Sequence, residues 1–264
     1  NKMSSTDGLY YAAMDADTDG EEGKYYSYEM DELKMISENT DFDLFLSYYN
    51  IDVENPWEKN RFLLLPNKFN YEKKWIDSNN VSKKEISDLI TIWEKNINDI
   101  KEDRTKPRID DKIIVSWNAL AIIGLIDAYD AFKNEDYISL AKSMFKELKD
   151  NSYRKGQLIH TYKENQFQEG VLEDYAYLSK AAMRLFQATG NISYFDFSKK
   201  VIDNALELFN DEQSDLLKYS NNEELFTKVI SIDDGVTPSP NSIIAEQLFS
   251  IGHVIFDDEY LDLS

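Results

Sequence analysis

The stretch whose reading decides the fold is Arg108–Phe132, RIDDKIIVSWNALAIIGLIDAYDAF. From Lys112 onward nearly every position is apolar or small, so a helix made from it has no continuous wetted face and belongs inside a helical assembly. Its polar residues are then informative: Asp110, Asp111 and Lys112 at the start, followed by Ser116 and Asn118 on either side of Trp117. Residues seven apart lie close to two helical turns apart, which predicts Asp111 with Asn118 on one stripe and Asp110 with Trp117 on the next. A carboxylate, an amide and an indole would converge near the helix N-terminus. The same acids also read as charges that offset the positive end of the helix, worth about 0.3–1 kcal/mol each.

Toward the C-terminus the pattern repeats. Glu135–Asp150 carries Tyr137, Leu140, Ala141, Met144 and Leu148 at helical spacing, the signature of an outer, one-sided helix. Gly156–Tyr162 reads as a short strand. Val171–Thr189 again has an acidic start, Glu173-Asp174-Tyr175, before an apolar body, and Ile192–Phe209 is a further amphipathic helix. Leu216–Tyr219 and Phe226–Ile232 suggest a hairpin. The turn from Asp233 to Pro240 then leads into the apolar segment Asn241–Phe256, with Ser239 as cap and Pro240 at the first helical position. Starts near Asp111, Glu173 and Asn241 recur about every 60–70 residues. Inner helices alternating with outer ones predict an all-α fold, an α/α toroid in which the polar N-terminal turns of the inner helices gather at one rim. That rim is the predicted pocket.

Toward the N-terminus, Gly8–Tyr28 reads as a β-hairpin around Asp15–Gly20. Its Asp15, Asp17, Asp19 and Gly20 match the first half of a calcium loop. Tyr26 stands where such a loop needs its closing bidentate Glu, so the acids are expected to hold backbone amides or face the pocket instead. Glu29–Glu38 and Asp41–Tyr49 have short helical patterns, and FLLLP at 62–66 a strand-like one. Ser82 and Glu85 form a capping box ahead of a stripe of Ile86, Leu89, Ile90, Trp93, Ile97 and Ile100 that ends near Pro107.

Composition narrows the function. With 264 residues, 17 Tyr, 14 Phe and 4 Trp, the chain can bury a large core. A net charge of −21 argues against nucleic acid or an anionic membrane as partner and favours a small ligand that is neutral or cationic, with a neutral one such as a sugar as the expectation. No cysteine is present and only His160 and His253 could offer imidazole, so no cofactor and no metal centre is expected. No membrane span or signal peptide is visible, which makes the cytoplasm the default location.

Four stretches together, DADTDGEEGKYY at 15–26, RIDDKIIVSWNAL at 108–120, LEDYAYL at 172–178 and DDGVTPSPNSIIAE at 233–246, resemble the spermatogenesis-associated thioredoxin-like family. Its members join a thioredoxin-like domain to an (α/α)6 toroid of the six-hairpin glycosidase type. The resemblance implies that residues 1–264 are an incomplete toroid with short β-hairpins in its connections, without the thioredoxin-like domain and the last helices. Pro240 departs from the family, which usually has glycine there.

Two functions of different class follow. In the first, the rim recognises or processes a carbohydrate, with Asp15, Asp17, Asp110, Asp111, Trp117, Asn118, Glu173, Asp174, Tyr175, Asp234 and Asn241 lining it and Asp111 and Asp174 as candidate catalytic acids. A glycosidase would need two carboxyls about 5–5.5 or 6.5–9.5 Å apart. In the second, the toroid is a non-catalytic partner-binding module and the acids are caps and staples. The two histidines, one in a strand and one in a helix, are not expected to form an acid–base pair.

Overall fold

In the computed structural model, which describes residues 2–66, 76–77, 79, 81–163, 166–221 and 229–264, the chain divides into two compact units. One is Met14–Arg108; the other combines Asn1–Ala13 with Ile109–Ser264.

In the Met14–Arg108 unit, the turn that resembles a calcium loop is the reversal of a hairpin in which Asp17–Thr18 pairs antiparallel with Glu21–Glu22. Asp19 (φ 54°) and Gly20 (φ 77°) both take positive φ, the two-residue reversal whose twist matches the flanking strands. Backbone geometry thus accounts for the Asp-Gly pair. Helices α1 (Met30–Ile36), α2 (Phe42–Tyr48) and α3 (Lys83–Glu102) occupy the expected segments. The box before α3 is reciprocal: Glu85 N–H donates to Ser82 Oγ at 3.2 Å and Ser82 N–H to Glu85 Oε2 at 2.8 Å. Leu33, Ile36, Phe45 and Trp93 form the dry centre, where Trp93 donates its indole N–H to Thr40 Oγ1 at 2.9 Å. Phe62–Leu63, the expected strand, pairs with Ser27–Tyr28.

In the second unit the inner and outer helices alternate as expected. They are α4 (Val115–Phe132), α5 (Glu135–Ser152), α6 (Leu172–Thr189), α7 (Ile192–Phe209), α8 (Pro240–Ile255) and the short α9 (Asp258–Asp262). Helix α4 packs on α5 and α6, α6 also on α7 and α8, and α8 on α9, so α4, α6 and α8 form the inner row. Each inner helix ends on a left-handed residue, Lys133, Gly190 or Phe256, and the next residue caps the outer helix. Asn134, Asn191 and Asp257 accept from the backbone N–H two residues on, at 2.9, 3.1 and 3.0 Å. One backbone device, a left-handed C-cap followed directly by an Asn or Asp N-cap, turns all three hairpins.

The expected long helix Arg108–Phe132 is corrected at its start. Helix begins only at Val115, because Ile113–Ile114 are strand residues paired with Tyr162 and Thr161. β-Branched Ile-Ile suits a pleated ladder better than a helical turn. Asp110 and Asp111 therefore lie on non-helical backbone, and the stripes predicted to join them to Trp117 and Asn118 do not exist. Nor is α4 dry all round. Val115, Ala119, Ile122 and Ile126 are fully buried, while Trp117, Gly124 and Asp127 form an exposed line on the inner surface. Salt bridges join the inner helices on that surface, from Arg184 on α6 to Asp127 and Asp130 on α4, and from Lys180 on α6 to Glu246 on α8.

The strand Gln157–Lys163 is the hub of the connections, pairing antiparallel with Ile113–Ile114, Tyr153–Arg154 and Gln166–Glu169. At its far side the close approach of Gly170 to Leu158, where a Cβ would sit 2.7 Å from the Leu158 carbonyl oxygen, presses the start of α6 against the strand. Of the expected hairpin at 216–232, Tyr219 N–H donates to Val229 O at 2.7 Å, and residues 222–228 lie outside the described part. Among the described residues no helix is long and apolar enough to cross a membrane.

Candidate functional site at the inner-helix rim

The starts of the three inner helices carry Asn118, Asp174 and Asn241, and each side chain binds backbone. Asn118, 2% exposed, accepts from Tyr10 N–H at 2.8 Å and donates to the Tyr10 and Ile114 carbonyls, both at 3.0 Å. Asn241 accepts from Leu217 N–H at 2.9 Å and donates to the Leu217 carbonyl at 3.1 Å and the Ser231 carbonyl at 3.0 Å. In both cases a side-chain amide pairs with a residue's N–H and C=O as a neighbouring strand would. An extended segment is thereby clamped to the helix start.

Asp174 is fully buried and does the same work with a carboxylate. Oδ1 accepts from Ser116 N–H at 3.0 Å and Oδ2 from Val171 N–H at 2.9 Å. The remaining acceptor capacity goes to His160, whose Nδ1 lies 2.9 Å from Oδ2 and 3.1 Å from Oδ1. This contact holds the imidazole pKa above its ordinary value, against the opposing effect of burial. The adjacent Glu173 is half-buried: it accepts from Ser116 Oγ at 3.0 Å and lies close enough to the Tyr219 phenol to act on its proton. Burial and the Glu173 and Asp174 charges raise the Tyr219 pKa, so this phenol stays protonated and donates.

His160, Glu173 and Asp174 bring one nitrogen or oxygen each within 4.8 Å of one another. Nδ1 of His160 and both Asp174 oxygens are already spent on protein partners, so the trio is built as a hydrogen-bond network. Asp174 has no surface for a substrate, which leaves Glu173 as the carboxylate of this pair with room to meet one.

The other candidates lie around this centre. Trp117 is 51% exposed on the inner surface, beside a cavity of about 130 Å³ walled by Tyr10, Tyr11, Ala12, Ile114, Asn118 and Ala121. Tyr175 is core: it stacks edge-on with Phe209, accepts from Leu158 N–H at 2.9 Å, and burial pushes its pKa up to about 12. Asp110 pairs with Lys112 at 3.1 Å and Asp111 with Lys163. Asp234 accepts from Ser239 N–H at 2.8 Å and so braces the turn before α8. Asp15 and Asp17 belong to the other unit, both exposed. Sequence reasoning did not foresee His160 as a partner of Asp174. Fourteen residues and a strand-to-helix change separate them, so no local periodicity links the two.

No protein-family profile matches the chain. Among curated proteins it is 28% identical to an uncharacterized protein of Caenorhabditis elegans, over 98% of this chain and 40% of that one. It is 25% identical to spermatogenesis-associated protein 20 of Mus musculus, over 61% of this chain and 22% of that protein. The chain thus spans less than half the length of these relatives and resembles the toroid part of the second. Among solved structures it is similar to a family 76 α-mannanase of Bacteroides thetaiotaomicron, with 18% identity, 69% of this chain and 53% of that chain covered, and a TM-score of 0.49. It is also similar to a cellobiose 2-epimerase of Bacillus thermoamylovorans, with 13% identity, coverage of 99% and 65%, and a TM-score of 0.49.

Proposed function

We propose that the rim at the starts of α4 and α6 recognises a neutral, hydroxyl-rich ligand, with a carbohydrate as the class that fits. The observation that carries this reading is Glu173: a carboxylate left partly open beside a wholly committed one, next to the hydroxyls of Ser116 and Tyr219. A carboxylate bracketed by hydroxyl groups suits ligand O–H donors, since hydrogen bonds to carboxylates are among the stronger ones. Trp117, exposed one residue along α4 from Ser116, offers an apolar face of the kind a sugar ring packs on. The chain's charge of −21 disfavours anionic ligands. Asn118, Asp174, Tyr175 and Asn241 then support the site by fixing its walls, and Asp110, Asp111 and Asp234 stand at its margin.

The test is thermal unfolding across a panel of mono- and disaccharides. A ligand at 100 times its Kd stabilises the folded state by about 2.7 kcal/mol, which is readily seen as a rise in Tm. Glu173→Gln and Trp117→Ala should each remove the rise while leaving the ligand-free Tm near that of the wild type. A panel without any rise, or a rise untouched by both substitutions, refutes the reading.

A further inference from the structure

Recognition by Glu173 leaves one group of the rim unused, the imidazole of His160. Asp174 gives this group its meaning. A carboxylate wholly removed from water and pinned by two backbone N–H groups acts only on what it touches, and the side chain it touches is His160. Donation from Nδ1–H to the carboxylate selects the neutral tautomer that carries its proton there, with the lone pair on Nε2 at the opposite edge of the ring. Among the described residues no group bonds Nε2, and the side chain keeps 24% of its surface exposed. His160 is the extra residue where the register shifts, between Thr161 paired with Gln168 and Ile159 paired with Glu169, so its backbone is set by its paired neighbours and its ring by the acid.

Building on the carbohydrate reading above, we infer that His160 is a proton-transfer residue of the rim, acting through Nε2 on the hemiacetal hydroxyl of a reducing sugar. The step is ring opening. The hydroxyl O–H bond breaks as Nε2–H forms, the oxygen's electron pair becomes the carbonyl bond, and the bond from that carbon to the ring oxygen breaks. Water gives the ring oxygen a proton, and the hydroxide left behind takes the proton from Nε2, which restores neutral imidazole. Asp174 balances the transient imidazolium. Glu173 also favours the protonated ring and Lys112 opposes it, and these are the charged groups that act on it.

Two measurements decide the matter. With nitrogen-15 label in both histidines, and His253→Gln to assign them, correlation spectra should show neutral His160 protonated at Nδ1. Magnetisation exchange between the anomers of D-glucose and of D-mannose should be faster with the protein than in buffer. His160→Gln should lose about a hundredfold of that protein-dependent rate, within the usual range for general acid–base catalysis, and His253→Gln should keep it. A neutral ring protonated at Nε2 would overturn the inference without any substitution being made. So would equal rates for wild type and His160→Gln. If a sugar raises Tm but its anomers exchange no faster than in buffer, proton transfer fails while recognition stands; if neither occurs, both fail together.

Discussion

Asn118→Ala separates a structural clamp from a ligand contact. The substitution removes the acceptor for Tyr10 N–H and the donors to the Tyr10 and Ile114 carbonyls. A buried backbone group left without a partner costs about 1–3 kcal/mol. Tyr10 is only half-buried, so water can reach part of what is freed, and a loss of about 2–4 kcal/mol is expected for the three bonds together. With a urea slope of about 2 kcal/mol per molar, the unfolding midpoint of this unit should fall by about 1–2 M in far-ultraviolet circular dichroism. Asn118→Asp should be at least as damaging, because it keeps the acceptor but turns a carboxylate toward two carbonyl oxygens. A midpoint within about 0.3 M of wild type, with a sugar-induced Tm rise abolished, would refute the clamp and hand Asn118 to the ligand.

Asn241→Ala should show a loss of the same order, about 2–4 kcal/mol, by the same titration; no change would mean that the Leu217 and Ser231 contacts carry no weight. Gly170→Ala should destabilise by about 1–3 kcal/mol, since its Cβ would press on backbone that has no rotamer to yield, and a neutral result would show that the strand can shift. Gly20→Ala should cost about 1–2 kcal/mol through its positive φ alone, with nothing near enough to clash, and is checked by the unfolding of the Met14–Arg108 unit. The raised pKa of His160 has a definite sign in linkage. Its contribution is complete below an unfolded value of about 6.5 and is lost as pH rises through the folded pKa, so the stability of wild type relative to His160→Gln should fall between pH 6 and 9. A difference that is flat or rises across that range would show that Asp174 does not hold the ring.

The inner and outer helices were legible because burial writes a periodic pattern. Ala141, Met144 and Leu148 on one side of α5, or the apolar body after Glu173, announce which face is hidden, whereas Leu140 of the same predicted stripe stands exposed. What the pattern could not show was the junction at Ile113–Val115, where the same apolar residues serve strand and helix equally well and only pairing with Tyr162 and Thr161 decides between them. Polar residues at helix starts stood out in the sequence because they interrupt apolar runs. Their partners lay elsewhere: Asn118 meets Tyr10 and Asn241 meets Leu217, contacts set by how the chain returns rather than by helical spacing. Asp174 and His160 show the same limit. The acid was visible as an oddity in an apolar run, whereas the histidine was an ordinary strand residue until the fold brought it to Asp174.

The bond between Tyr10 and Asn118 spans 108 positions, and the whole of Met14–Arg108 lies inside that loop. The Met14–Arg108 unit draws its own ends together through Asp15 N–H and the Arg108 carbonyl at 2.8 Å, and just beyond them Ala12 N–H donates to the Lys112 carbonyl at 2.9 Å. The order of assembly is therefore coupled. Closing a long flexible loop carries an entropy penalty that grows with the logarithm of its length, and prior collapse of the enclosed segment shortens the effective loop to a few residues. Seating of the N-terminal segment should be the late event in refolding, slowed by substitutions that destabilise Met14–Arg108 although those residues belong to the other unit. A stopped-flow trace in which Gly20→Ala leaves that late phase unchanged would separate the two events again.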